Sequence, residues 1–272
     1  MKIHFALALL MSIMAVTVAN AQFQLDTKAI DQIFSQWDKS DSPGCAVAVL
    51  KDGKIVYAKG FGMANLDDHV PNNPNTVFRI ASTSKQVTAA LMALLAQEGV
   101  LSLDDDIRKW IPELPDYGEK ITIRDLIHHV SGLRDYTSIM YLNDTLDDHC
   151  TDADALEVIC RQKGVNFEPG TQFSYCNSGY FLLSVICKRA TGDSIRVSAD
   201  KHIFQPLNMK QTHFHDNYRE IVPHRAVGYE RNEDGDWEIS TTRLEMCGDG
   251  GIFTTVRDYA LWDENFYTGQ VG

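Results

Sequence analysis

Residues 77–99 read Val77-Phe78-Arg79-Ile80-Ala81-Ser82-Thr83-Ser84-Lys85-Gln86-Val87-Thr88-Ala89-Ala90-Leu91-Met92-Ala93-Leu94-Leu95-Ala96-Gln97-Glu98-Gly99. The segment Val77–Ile80 is extended in character, whereas Val87, Leu91, Leu94 and Leu95 recur at helical spacing, and Gly99 sits where a helix C-terminus favours glycine. A strand therefore turns into a long helix at Ser82. Ser82 and Lys85, three residues apart, share one face of that helix. The free N–H groups and positive dipole end of the helix lie beside the Ser82 hydroxyl. A nucleophilic serine needs a nearby base and backbone donors for a developing oxyanion, and this placement offers both. The plain alternative is that Ser82 is only an N-cap.

Upstream, Ile30, Ile33, Phe34 and Trp37 predict an amphipathic helix over 26–39, broken by Pro43-Gly44. The runs Cys45–Leu50 and Lys54–Lys59 flank Asp52-Gly53 and read as a hairpin. Downstream, Thr122 with Asp125 comes close to a capping box for a short helix through His129. A further helix is expected over 178–191, with Lys188 and Arg189 in its last turn and Gly192 after it. Asp234-Gly235 predicts a second hairpin, and Thr255 with Asp258 opens a final helix. No stretch after Thr255 reads as a strand, so the sheet begun by the first hairpin is expected to be incomplete within this sequence.

The 272 residues carry 25 Lys+Arg against 37 Asp+Glu, a formal charge of −12 with no basic run, which argues against nucleic-acid binding. The apolar content of 44% is enough for a substantial core. The one long apolar run, Phe5 to about Ala19, follows Lys2 and His4 and precedes Ala19-Asn20-Ala21. That is the pattern of a signal peptide over residues 1–21, too short for a comfortable bilayer span. The mature domain is then 22–272 and the protein is exported, secreted or periplasmic, with no transmembrane segment left after cleavage. An exported chain permits disulfides among Cys45, Cys150, Cys160, Cys176, Cys187 and Cys247, and closeness in sequence favours Cys150 with Cys160. Cys45 and Cys187 read equally well as buried free thiols.

Tyr175-Cys176-Asn177 is the second group with chemical potential. An ammonium charge beside a phenol favours its ionised form, so a tyrosine close to Lys85 is a candidate acceptor for the Ser82 proton. Asn177, two residues on in an extended segment, would point the same way and fix Lys85 and a substrate amide. Taken alone, Tyr175 reads as a half-buried core tyrosine. Two imitations are set aside. Ser198-Ala199-Asp200-Lys201 is expected inside a polar helix whose N–H groups are already used, and Tyr141-Leu142-Asn143 in a solvated acidic loop. His213-Phe214-His215 places two imidazoles on one side of a strand, but the sequence shows no third ligand, so neither metal nor organic cofactor is expected. His128-His129 reads as structural.

Ser82-x-x-Lys85 opening a long helix, with Tyr175-x-Asn177 about ninety residues later, resembles the penicillin-recognising serine hydrolases. Within them the chain is similar to class C β-lactamases, D-alanyl-D-alanine carboxypeptidases and β-lactamase-like esterases. Phe78–Ser82, Leu126–Leu133, Pro169–Tyr175, Pro206–Lys210 and Gly250–Thr255 carry the same resemblance. It implies an α+β fold, an antiparallel sheet flanked by helices with a mostly helical second lobe and the active site between them. It further implies Ser82 as the acylated nucleophile, Lys85 and Tyr175 as proton-transfer partners and Asn177 as a substrate contact. The substrate would be a β-lactam, a D-amino-acid peptide or an ester. The departure lies in the third motif of these enzymes, Lys-Thr-Gly or a His-x-Gly or Trp-x-Gly variant on a late strand, for which no triplet follows Asn177. Tyr267-Thr268-Gly269 is superficially close but ends a helix-like segment. A second oxyanion donor would be lost with that strand, worth about 2.7–4 kcal/mol of transition-state stabilisation. The chain is therefore expected to be a C-terminally incomplete member. A non-catalytic peptidoglycan-peptide or penicillin-binding protein stands as the alternative to an acyl-transferring hydrolase, as does an inactive fragment.

Overall fold

The computed structural model describes residues 25–143, 145 and 149–272; the expected signal peptide lies outside the described residues. In chain order, α1 (Thr27–Phe34) leads into β1 (Cys45–Lys51), β2 (Lys54–Phe61), β3 (Met63–Asn65), β4 (Val70–Pro71) and β5 (Phe78–Arg79). A helical block follows, with α2 (Lys85–Gln97), α3 (Ile107–Trp110), α4 (Ile123–Ile127), α5 (Tyr136–Leu142), α6 (Asp152–Cys160), α7 (Asn177–Thr191) and α8 (Ile195–Ala199). The chain then runs through β6 (His213–Phe214), β7 (Tyr229–Arg231), β8 (Trp237–Ile239), β9 (Ile252–Thr254) and α9 (Val256–Thr268). The fold is α+β, and its strands pair antiparallel as β1-β2, β3-β4, β5-β9-β6 and β7-β8.

The β1-β2 hairpin turns on Asp52 (φ 49°) and Gly53 (φ 70°), the two left-handed residues that a tight primed turn demands. Both α1 and α9 lie against it, α1 through Asp31, whose carboxylate accepts from the Tyr57 hydroxyl at 2.5 Å. The first helix is shorter than its apolar spacing suggests. It ends at Phe34, and Trp37 lies beyond it in a turn where the Phe34 ring stacks on Phe61 at 5.2 Å.

The core is centred on α7, which is buried from Ser178 to Cys187 around its whole circumference. A helix wrapped on all sides by other elements needs no polar face, and α2, α3, α4, α5 and α8 supply that wrapping. Val87, Leu91, Met92 and Leu95 of α2 enter the same core as Phe181, Leu182 and Ile186 of α7. Several helix ends follow the residues that announce them. Thr122 and Asp125 form a reciprocal capping box on α4, Thr255 caps α9 through Asp258 N–H, and Gly192 closes α7 at φ 84°. Helix α4 stops at Ile127, short of His129, which turns left-handed at φ 58°.

The pairing of Cys150 with Cys160 does not form, because all of α6 separates them. Nine helical residues extend about 13 Å, well beyond the reach of a disulfide. The Ser198 imitation lies in α8, which is not polar: Ile195, Ser198 and Ala199 are buried. Tyr141 and Leu142 are strongly exposed, as expected, but on the last turn of α5 rather than in a loop.

Candidate active site

The strand β5 ends two residues before Ala81, and the chain passes through one 3-10 turn, Ala81–Ser84, before α2 begins at Lys85. Ala81 holds φ 45°, a left-handed conformation that costs a non-glycine residue about 1–2 kcal/mol. Ser82 follows immediately, exposed, at the N-terminal end of the helix. Ser84 fixes the turn from beneath. Its hydroxyl donates to the Ala81 carbonyl at 2.6 Å and accepts from the Ile252 N–H of β9 at 3.1 Å.

Lys85 is buried, at 6% exposure. An ammonium has three N–H donors and no acceptor, and all three find oxygen. Lys85 Nζ donates to Ser82 Oγ at 3.2 Å, to Asn177 Oδ1 at 2.9 Å and to the Asp249 carbonyl. The rings of Tyr175 and Tyr180 lie 4.8 and 5.6 Å from Nζ, close enough for cation–π attraction. A desolvated cation is tolerated here because its charge is fully coordinated.

The second motif arrives at the same point. Tyr175 Oη donates to Ser82 Oγ at 2.8 Å. Asn177 is not in an extended segment but is the first residue of α7, and Cys176 is its extended N-cap residue. The freed Asn177 N–H is taken by Asp135 Oδ2, and Asn177 Nδ2 donates to Thr137 Oγ1 at 3.1 Å. The Asn177 amide is therefore held in one orientation, with its oxygen toward Lys85. Ser82, Lys85, Tyr175 and Asn177 thus converge on one cluster.

Three supporting parts have no assigned role in the sequence reading, although His129 and Gly250-Gly251 fall in stretches that carry the resemblance. His129 accepts from Cys176 N–H at 3.1 Å through Nδ1, and its ring lies 4.6 Å from Tyr175 and 4.9 Å from Tyr180. Burial, with the nearby Lys85 charge, lowers its pKa. It holds the Tyr175 ring. The loop Gly248–Gly251 brings the Asp249 carbonyl to Lys85 and the Gly248 carbonyl to Thr88 Oγ1 at 2.8 Å. This loop requires glycine: Gly248 and Gly251 have φ of 104° and 90°, and a Cβ on Gly248 would stand 2.5 Å from the Tyr180 carbonyl. The Asp249 carboxyl turns inward and accepts from the buried Tyr136 hydroxyl at 2.8 Å. Desolvation pushes its pKa up, against the opposing pull of that hydroxyl and of Lys85.

The histidines of the His-x-His stretch lie elsewhere, on β6 and just after it. Burial, with Arg196 next in weight, pushes His213 down to about 4. A groove of about 1210 Å³ also lies away from Ser82, between α1, β1 and the β7-β8 hairpin. Tyr267-Thr268-Gly269 closes α9, Gly269 being left-handed at φ 57°.

With the cluster in place, comparison with known proteins identifies the family. The Beta-lactamase family model matches residues 30–270, and the chain belongs to that family. It is 32% identical over 222 residues to a D-aminopeptidase of Gluconobacter oxydans (strain 621H), covering 81% of this chain and 42% of that protein. It is 28% identical over 254 residues to penicillin-binding protein 4* of Bacillus subtilis (strain 168), covering 88% of this chain and 56% of the relative. The chain thus spans about half the length of the curated relatives it matches. Among solved structures, the octameric penicillin-binding protein homologue from Pyrococcus abyssi superposes with a TM-score of 0.81 at 28% identity, covering 90% of this chain and 57% of that one. The D-amino acid amidase from Ochrobactrum anthropi SV3, complexed with L-phenylalanine, superposes with a TM-score of 0.74 at 26% identity, covering 89% and 72%.

Proposed function

We propose that this member of the β-lactamase family is a serine hydrolase that forms an acyl-enzyme on Ser82. The observation that carries this reading is the convergence of Lys85 Nζ at 3.2 Å and Tyr175 Oη at 2.8 Å on one exposed serine oxygen. Both groups donate to Ser82 Oγ in the resting arrangement, so attack requires one contact to reverse and accept the serine proton. Tyr175, acting as the phenolate, is the assigned acceptor: its Oη lies 2.8 Å from Ser82 Oγ, and a Lys85 ammonium with all three N–H groups engaged has no lone pair to take the proton. Ser82 Oγ then bonds to the substrate carbonyl carbon, and the proton returns through the Tyr175–Lys85 pair to the leaving nitrogen or oxygen. The C–N or C–O bond breaks, and water clears the ester by the reverse path. The free N–H groups at the start of α2 face the developing oxyanion.

For substrate, we favour an amide next to a D-amino acid, the class named in the D-aminopeptidase and D-amino acid amidase relatives. β-Lactams and small esters share the same chemistry and serve as controls. No cofactor enters this reaction. The test is intact-mass analysis after exposure to a penicillin and to an activated D-alanine ester, alongside release of nitroaniline from a D-alanine nitroanilide. One adduct per chain that disappears in Ser82→Ala is expected; an adduct that survives the substitution overturns the assignment. A second reading, binding of cell-wall peptides without turnover, draws on the relative named as a penicillin-binding protein. Adduct formation without anilide release would favour it. We also propose export to a secreted or periplasmic location, carried by the Lys2–Ala21 pattern. N-terminal sequencing of the cell-derived protein should begin at Gln22.

A further inference from the structure

A side-chain cluster that the acyl chemistry leaves unused sits where β6 leaves its sheet. His213 Nε2 and His215 Nδ1 are 3.3 Å apart, and Glu220 Oε2 is 3.8 Å from His215 Nδ1. The three donor atoms lie within 4.8 Å of one another. Glu220 supplies a third donor atom that the His-x-His spacing does not reveal, since the chain must fold back after Asp216 to present it.

We infer that His213, His215 and Glu220 form a binding site for a divalent transition metal of the zinc class. The separation of the imidazole nitrogens carries the argument. Two ligands at zinc–nitrogen distances of about 2.0–2.1 Å in tetrahedral geometry stand roughly 3.3–3.4 Å apart, and the observed 3.3 Å meets that spacing without movement. His215 is 95% buried, its Nδ1 faces His213 and Glu220, and its Nε2 has no hydrogen-bond partner among the described residues.

The surroundings set the class of ion. Arg196 grips Glu220 through both oxygens, at 2.6 and 2.8 Å, and reaches Asp216 at 2.9 Å. Two carboxylates thus face this guanidinium. A second guanidinium, Arg225, stacks on the Phe253 ring that His215 also touches. Charge alone does not favour a cation strongly here, and the two-nitrogen, one-oxygen donor set does the selecting. It suits zinc, nickel or copper and disfavours calcium and magnesium, which demand oxygen. Three protein ligands leave a fourth position for water. Bound metal would tie β6 to the 216–220 turn. The His215 N–H donates to the Gly251 carbonyl at 2.8 Å, so the clamp abuts the glycine loop that supports Lys85.

The test is calorimetric titration of the full chain with zinc chloride, with cobalt(II) spectroscopy alongside. One equivalent per chain at micromolar affinity is expected, with a melting temperature that rises with zinc concentration. His213→Ala and Glu220→Gln should each weaken binding by at least about tenfold, while Ser82→Ala binds unchanged, which separates this site from the acyl chemistry. Cobalt should give tetrahedral bands without thiolate charge transfer. Absence of stoichiometric binding, equal binding in both ligand variants, or a thiolate band implicating the six cysteines would overturn the inference. Should a variant fail to fold, X-ray absorption of the cobalt-loaded wild type decides between two imidazoles and none.

Discussion

Removing a single buried hydroxyl, in Tyr136→Phe, tests how the Lys85 cradle is held. The Tyr136 side chain is 1% exposed, and its hydroxyl lies 2.8 Å from the inward-turned Asp249 carboxyl. Leaving a buried acceptor without its partner costs about 1–3 kcal/mol, and the phenyl ring keeps the packing, so a loss of about 2 kcal/mol is expected. For a domain of this size that is a fall in melting temperature of roughly 4–8 °C. In the background of Asp249→Asn the carboxyl is already gone and the same substitution should cost under about 1 kcal/mol. The assay is a four-member cycle of urea and thermal denaturation at pH 7, with acylation rates measured on each member. Because the Asp249 carbonyl also accepts from Lys85, Tyr136→Phe should slow acylation as well. A fall of less than 1 °C, or an equal cost in both backgrounds, would show that this bond does not support the loop.

Other outcomes follow from the same geometry. Lys85→Met leaves Ser82, Asn177 and Asp249 without their shared donor and should lower the acylation rate by about 10²–10⁴-fold in single-turnover kinetics. Ala81→Gly relieves the left-handed strain of about 1–2 kcal/mol at the cost of about 0.5–1 kcal/mol of backbone entropy; a modest rise in the urea midpoint is expected, and a fall would contradict φ 45° at that position. Gly251→Ala puts a Cβ 2.9 Å from Cys247 Sγ at φ 90° and should lower the melting temperature, whereas Gly164→Ala, in open space, should leave it little changed. Burial raises the folded-state pKa of Asp249 above its unfolded value of 3.8. Its contribution to stability is therefore complete below pH 3.8 and is lost as pH rises through the higher folded value. Asp249→Asn should flatten the decline in stability above about pH 4.

Much of this was readable because local chemistry and tertiary structure agree. Thr122 and Asp125 cap α4 by contacts three residues apart, and Gly99 and Gly192 end helices through their own dihedral freedom. The Ser82–Lys85 pair is legible because helical spacing alone brings the two side chains together. What escaped depends on contacts far along the chain. The strands β5, β6 and β9 are two or three residues long, too short to show an alternating pattern. Tyr136 meets Asp249 across 113 residues, and no local pattern marks either. Glu220 joins the histidines only after a turn, so spacing-based ligand reading stops at two. The Cys150–Cys160 pairing failed for the opposite reason: nearness in sequence was spent on a rigid helix that holds the two ends apart.

The loop Gly248–Gly251 has a bearing on the order in which this protein becomes reactive. Lys85 bonds across 3 residues to Ser82, 92 to Asn177 and 164 to Asp249. During synthesis and folding the first contact is available as soon as a helical turn forms, whereas the last must await a loop closure many times longer, the slow kind of contact. Until residue 249 docks, the lysine lies open to water and lacks the carbonyl that completes its cradle. On the proposed mechanism, acylation competence would then be a late event in maturation, and chains caught part-folded would carry a serine still awaiting its full set of partners.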